Sequence, residues 1–368
     1  MSLSTARLIN QLQTQGVRLV DPKAGADSRR GGAGPSDHKA LTIDGVTFMA
    51  PVHTAPAYES PYVVEKPDSE GRARVLREGV ALGEARFPAR PRFYDLATAE
   101  GVPYAQIATL HGRDVLATTV LQTCIRYQSR TKTCQFCAIG QSLAAGRTIA
   151  RKTPSQLAEV AKAAVELDGV KHMVMTTGTP SGRDRGAEIL AESATAVKNA
   201  VYLPIQAQCE PPDDDGWFAR LKSAGVDSLG MHIEVVGTAL RQRLMPGKSE
   251  IPISRYLTAF AAAVPVFGRG QVSTYILAGL GDSAETILDL STQLVALGVY
   301  PFVVPFVPIS GTPLESHAGP SAAFMEAVLR PLSAMLVEAG LKAADIKAGC
   351  GKCGACSALS TYERSLES

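Results

Sequence analysis

The sequence carries no excess of charge of either sign: 37 Lys and Arg stand against 35 Asp and Glu, a formal net charge of +2. A dedicated nucleic-acid binder is usually strongly basic, so this balance disfavours nucleic acid as a partner. No apolar run approaches the ~18 residues that a membrane span needs. No secretory apolar segment follows the N-terminus, so a cytoplasmic protein with no membrane partner is expected. A disulfide framework is also disfavoured, because the cysteines number seven, which is odd, and no export is expected.

What is present is ordinary for a globular protein: 368 residues, 45% hydrophobic and 20% charged. That length allows two or three domains, or one large α/β barrel with additions. The cysteines are not scattered. Cys124, Cys134 and Cys137 form one group, Cys350, Cys353 and Cys356 a second, and Cys209 stands alone between them. Two tight groups of three thiols point to metal clusters.

Apolar spacing predicts a short helix over residues 4–15. The Gly-, Ser-, Arg- and Pro-rich stretch Lys23–Asp37, with Arg29 and Arg30, reads as a linker. Up to about Ile107 the pattern is irregular, and a small accessory region or cap is expected. Beyond it, strand-like runs alternate with helical spacing. The predicted strands begin near Val115, His172, Tyr202, Ser228, Gln271 and Phe302, and a last helix covers Ala322–Glu338. Six alternations imply a parallel α/β sheet with right-handed crossovers, doubly wound or closing toward a barrel. The expected divisions are an N-terminal region 1–111, a barrel 112–320 and a C-terminal tail 321–368.

Cys124 stands at the end of the first expected barrel strand, where α/β barrels place their chemistry. Three thiolates can hold three irons of a 4Fe–4S cluster and leave the fourth open. A zinc site, completed by Cys209 or a histidine, stays open as the alternative.

At these residues the chain resembles the radical S-adenosylmethionine (SAM) superfamily, over Val115 to Glu315. The family's cluster loop usually reads Cys-x3-Cys-x2-Cys, with an aromatic residue before the third cysteine. Phe136 matches that aromatic, whereas nine residues rather than three separate Cys124 from Cys134. The insert carries Arg126, Arg130 and Lys132, candidates for an anionic substrate or a reductase, or a solvated loop.

The resemblance extends along the strand ends. Thr177, Gly178 and Thr179 stand where the family turns to receive the SAM amino group, although the acid of that turn is missing. Glu234 stands where an acid meets the ribose hydroxyls. Arg255 stands where an arginine meets the SAM carboxylate, with Arg243 as rival. Gly279 and Gly281 match the turn beside adenine, and Pro308 lies in a segment like that of the biotin and lipoyl synthase branch.

The resemblance implies a partial (β/α)6 TIM-like barrel with an N-terminal accessory region and a C-terminal cluster-binding tail. It also implies an oxygen-sensitive enzyme in which SAM, chelated to a 4Fe–4S cluster, is cleaved by one electron to a 5′-deoxyadenosyl radical. That radical abstracts hydrogen from a small-molecule substrate. A flavodoxin or ferredoxin is the implied electron donor. The long loop is most similar to a poorly characterised bacterial branch associated with nitrilase-type nitrogen metabolism. A sulfur-inserting enzyme of the lipoyl or biotin synthase type is one alternative. A non-catalytic iron–sulfur or zinc protein is another.

The run Cys350-Gly-Lys-Cys353-Gly-Ala-Cys356 lets a glycine-bearing loop wrap one cluster, as in bacterial ferredoxins. An auxiliary 4Fe–4S cluster is expected there, with zinc as the alternative. Cys209, at a strand end, is a candidate for completing that cluster or for touching substrate, or is packed in the core. Tyr362 and Arg364 are expected either to cover the site or to fray. His111, His172 and His317 lack ligand spacing and receive no role.

Overall fold

The structure, a computed structural model, describes residues 3–28, 36–129 and 131–367. Arg29, Arg30 and Arg130 lie outside them.

Six parallel strands form the centre: Val115–Thr119, His172–Thr176, Ile205–Gln208, Ser228–Gly230, Val272–Ala278 and Val299–Pro305. They neighbour one another in chain order, and Thr109–His111 pairs antiparallel on the edge of the first. Helices follow the strands, as right-handed crossovers require. Pro154–Asp168 shows why they start where they do. Thr153 accepts from the Gln156 amide, the Gln156 side chain returns to the Thr153 amide, and Pro154 opens the first turn. Leu157, Val160, Ala161 and Ala164 then face the core. Of the two sheets the alternation allows, this is the one closing toward a barrel, the partial (β/α)6 form that the resemblance implies, with one added antiparallel strand.

The N-terminal region is more regular than its sequence suggests. The helix Leu3–Gln15 buries Ala6, Ile9 and Leu12. Next to it lies a six-stranded sheet, and the linker stretch includes a 3-10 segment, Pro22–Ser28. The strand Val80–Arg86 explains why the sheet is hidden in sequence: only Ala85 in it is buried, so it lacks apolar alternation.

The C-terminal tail enters the barrel at the end opposite the strand C-termini. Ala348 N–H donates to Ser228 Oγ (3.3 Å) and Gly349 N–H to His172 Nδ1 (3.2 Å), and these two partners open the fourth and second strands. The last helix, Leu359–Leu366, does not fray. Tyr362 is buried, and Glu363 accepts from Tyr300 Oη (2.5 Å) and the Ala343 amide (3.0 Å). Tyr362 and Arg364 therefore belong to an anchor beneath the barrel and do not cover its mouth.

Candidate functional site

Around the first cysteine group, the nine-residue insert is a folded loop. Thr133 Oγ1 lies 2.9–3.3 Å from the carbonyls of Arg126, Tyr127 and Ser129 and closes the chain on itself. The loop is seated on the segment after the fourth strand. Gln135 N–H donates to Leu244 O (2.8 Å), Gly247 N–H to Lys132 O (3.2 Å), and Lys132 Nζ to Glu250 (2.7 Å). Arg126 is buried in a two-pronged pair with Glu210, at 3.0 and 2.8 Å. Arg126 and Lys132 are thus occupied in docking the loop, not held out to an anionic partner.

The same loop rests on the turn after the second strand. Ile125 N–H donates to Thr179 O (3.0 Å), and Gly178 N–H to Leu121 O (2.8 Å). A Cβ on Gly178 would stand 2.2 Å from the Thr123 carbonyl oxygen, so this crossing needs glycine. Thr177 donates its hydroxyl to Gly178 O.

Cys134 and Cys137 share a tight turn, with Cys137 N–H on Cys134 O (3.0 Å). Burial pushes the Cys137 thiol up to about 11, and the nearby Cys124 and Glu234 add to this while Lys248 opposes it. Burial raises Cys134 further, with the same neighbours acting on it. Two soft thiols in a poorly solvated turn, with a third in the same loop, fit an iron–sulfur cluster, whose iron would supply the charge that offsets their ionisation. Phe136 packs with Cys134 against Val235, Leu244, Met245, Leu280 and Phe306.

Glu234 sits at a left-handed φ of 66°, uncommon for a residue with a side chain. Its carboxylate accepts from Lys248 Nζ at 2.8 Å, with both side chains largely buried. Lys248, at the end of the Arg243 segment, is therefore a cation beside Cys134 and Cys137. Arg255 is turned to Asp215 (2.6 Å) and the Pro212 carbonyl. Asp282, in the Gly279–Leu280–Gly281 turn, accepts from the Val236 and Gly237 amides at 2.7 and 2.8 Å, pinning the segment that carries Glu234.

The second group is held from several sides. Cys350 Sγ accepts from Gln208 Nε2 (3.2 Å), and its N–H donates to Gln206 Oε1 (3.1 Å). Tyr275 reaches Cys350 and Cys356. His111 Nε2 is 3.5 Å from Cys356 Sγ. Burial pushes the imidazoles of His111 and His172 down to about 4 and that of His232 to about 3. All three are neutral at pH 7. Buried soft thiols beside neutral nitrogen donors again suit an iron–sulfur cluster. Among the described residues, no three His, Cys, Asp or Glu side chains, those of the two cysteine groups included, stand close enough to hold a single metal ion.

Cys209 does not join this group. Side chains alternate along a strand: Gln206 and Gln208 reach the tail, whereas Cys209 packs into the main core, its thiol raised to about 12 by burial. No spacing pattern in the sequence marks Gln206, Gln208, His111 or Tyr275, which only the barrel brings together.

A cavity of ≈ 370 Å³ runs from the second group toward the surroundings of the first. Phe136 and Glu234 line it on the side of the first, and Cys350, Cys356 and His111 on the side of the second. Between them stand mainly apolar residues such as Ala117, Val174, Leu277 and Val304. Arg255, Gly279 and Gly281 are not among its lining residues, and Pro308 lines a separate cavity while its neighbours Val307 and Ile309 line this one. Among the described residues, no helix is long and apolar enough to cross a membrane.

Residues 131–294 match the radical SAM superfamily. The chain is 27% identical over 234 residues to a bacteriochlorophyllide c C-7(1)-hydroxylase of Chlorobaculum limnaeum, covering 58% of this chain and 55% of that one. It is 27% identical over 135 residues to a probable dual-specificity RNA methyltransferase RlmN of Rhodopirellula baltica, covering 36% of each. The chain thus spans about half the length of the first relative and about a third of the second. Methylornithine synthase (PylB) has a similar solved structure, with a TM-score of 0.48 and 18% identity over 74% of this chain and 78% of that one. The hydrogenase maturase HydG gives a TM-score of 0.47 and 14% identity over 61% and 49%. The cysteine loop stands at the mouth of a six-stranded partial barrel, and residues 131–294, which take in Cys134, Cys137 and the second to fifth strands, form a radical SAM domain.

Proposed function

We propose that this protein is a radical SAM enzyme that acts on a small molecule held between two iron–sulfur sites. The observation that carries this reading is the cavity that reaches from Cys350 and Cys356 to Phe136 and Glu234, the residues beside the first cysteine group. Cys124, Cys134 and Cys137 would hold the 4Fe–4S cluster, and Cys350, Cys353 and Cys356 an auxiliary one. Bound there with SAM, the first cluster supplies one-electron cleavage of the sulfonium to methionine and a 5′-deoxyadenosyl radical for hydrogen abstraction.

The chain's own part is positioning and exclusion. Phe136 offers an aromatic face at the cavity wall beside the cysteine turn. Glu234, fixed by Lys248, presents a carboxylate suited to hydroxyl donors. The apolar middle keeps water from the reacting carbon. Glu234, already paired, is the one carboxylate or cationic side chain in the lining, so a substrate of few charges fits best. The electron donor is a low-potential carrier of the flavodoxin or ferredoxin class. The tail site touches the same cavity, so substrate contact or electron relay suits it.

Anaerobic reconstitution with iron and sulfide counting tests this reading. About eight irons per chain are expected, with 5′-deoxyadenosine and methionine formed when reductant and SAM are added. Cys134→Ala should abolish SAM cleavage and about half the iron. A loaded, reduced protein that leaves SAM intact would overturn the proposal.

A further inference from the structure

We infer that His232 and Gln208 form the polar recognition site of the cavity and read a neutral carboxamide on the substrate, His232 donating to its carbonyl and Gln208 accepting from its N–H. This rests on the reading above that the cavity holds the substrate. The two side chains meet over a glycine. Gln208 ends the third barrel strand and pairs with Gly230, which ends the fourth. His232 follows two residues later. A Cβ on Gly230 would stand 3.0 Å from Gln208 Cγ and 3.1 Å from His232 Cε1, so glycine lets both side chains lie over it. Both line the cavity.

Each group has its role fixed by its neighbours. Tyr275 N–H donates to His232 Nδ1 (3.2 Å), and the Tyr275 ring meets the imidazole edge-on with centroids 4.7 Å apart. Burial keeps the imidazole neutral, so its one proton sits on Nε2, which is a donor. Gln206 Oε1 accepts from Cys350 N–H (3.1 Å) and from Gln208 Nε2 (2.7 Å). The second hydrogen of Gln208 Nε2 goes to Cys350 Sγ (3.2 Å). Gln208 Oε1 is left as an acceptor, and among the described residues no donor reaches it. Nor does a hydrogen bond join Gln208 to His232. A donor and an acceptor thus stand side by side in the cavity wall without satisfying one another.

The surroundings set the class of guest. Glu234 is the charged side chain of the lining and is already paired with Lys248. A carboxylate or ammonium at His232 would lose its hydration without gaining a counter-charge. A carboxamide carries no charge and presents a carbonyl acceptor and an N–H donor on separate atoms. That matches one donor and one acceptor on neighbouring strands. A ketone would leave Gln208 Oε1 unmet and a neutral amine would leave His232 Nε2 unmet, and a buried group without a partner is costly.

The test uses the full chain, reconstituted anaerobically and loaded with SAM, and measures the binding of benzamide, benzoate, benzylamine and benzyl alcohol by equilibrium dialysis at pH 7. Benzamide should bind about tenfold more tightly than each of the others, the worth of one hydrogen bond. His232→Asn keeps an acceptor for the Tyr275 amide but lacks the Nε2 donor, and should bring benzamide down to the level of the other three. Gly230→Ala, which pushes the two side chains apart, should do the same. Iron content and 5′-deoxyadenosine formation, measured on the same samples, report on the underlying reading. Suppose SAM cleavage is intact. Equal affinities in wild type, a preference for another probe, or no binding of benzamide at millimolar concentration would then overturn the carboxamide assignment alone. A preference kept by both variants would equally overturn it. A loaded, reduced wild type that leaves SAM intact would overturn the reading beneath it as well.

Discussion

Arg126, in the long cysteine loop, and Glu210, just beyond the third barrel strand, form a buried two-pronged ion pair with side chains 6% and 8% exposed. This contact ties the loop to the barrel mouth and explains what the nine-residue spacing accommodates. Removing one partner of such a pair leaves a buried charge, at about 3–5 kcal/mol, whereas replacing both with apolar groups is often near neutral. Arg126→Met should therefore destabilise the protein by roughly that amount and loosen the first cluster. Arg126→Met with Glu210→Met should recover most of the loss. Urea midpoints of the two single variants and the double variant measure this, and additive losses would contradict it.

Lys248 and Glu234 make the second buried pair, beside Cys134. The left-handed backbone at Glu234 indicates a side chain held for a purpose. If Lys248 orients that carboxylate toward SAM, Lys248→Met should weaken SAM binding about 10- to 100-fold, the worth of one hydrogen bond to a charged group. Equilibrium dialysis on the reconstituted protein would show it. Unchanged affinity with lowered stability would make the pair purely structural.

The barrel was legible because its signals are local: apolar alternation, caps such as Thr153, and helices such as Ala284–Leu297 that begin and end where their spacing does. The first cysteine loop was legible from its types and order. The surroundings of the second group were not. His111, Gln208, Tyr275 and Cys356 are distant in sequence and carry no mutual spacing, and they meet only because the tail enters from the strand N-termini. The N-terminal sheet escaped notice for a different reason, since strands such as Val80–Arg86 are mostly exposed and show no period.

Lys152 predicts a pH dependence. Its side chain is buried, donating to Thr148 Oγ1 (2.6 Å) and Ile149 O (2.9 Å), and burial lowers its pKa from 10.5 to about 7. The folded protein thus binds this proton more weakly than the unfolded chain does. Stability from this source is fully present above pH 10.5 and is lost as pH falls toward 7. Wild type should gain stability between those limits, by at most ~1.4 kcal/mol per pH unit from this one group. Lys152→Met should remove that slope. Chemical denaturation at pH 7, 8 and 9 compares the two, and equal slopes would refute the assignment.

Two glycines allow the cysteine groups to be emptied separately. Gly178 admits the Thr123 carbonyl where a Cβ would stand 2.2 Å away. Gly349, with φ +111° and ψ −170°, lies in a region essentially closed to side chains, and its Cβ would meet Gln206 at 2.2 Å. The Thr123 carbonyl is backbone next to Cys124, so Gly178→Ala should displace the first loop. Gly349→Ala should instead unseat the tail, because Gln206 also fixes the Cys350 amide. Gly349→Ala should cost about 1–3 kcal/mol in backbone strain and Gly178→Ala a similar amount, about 1–3 kcal/mol, by overpacking, with iron loss confined to one end of the cavity. Gly349→Ala should then keep SAM cleavage with about half the iron, and Gly178→Ala should lose cleavage. Loss of all iron in both variants would show that the two sites assemble as one unit.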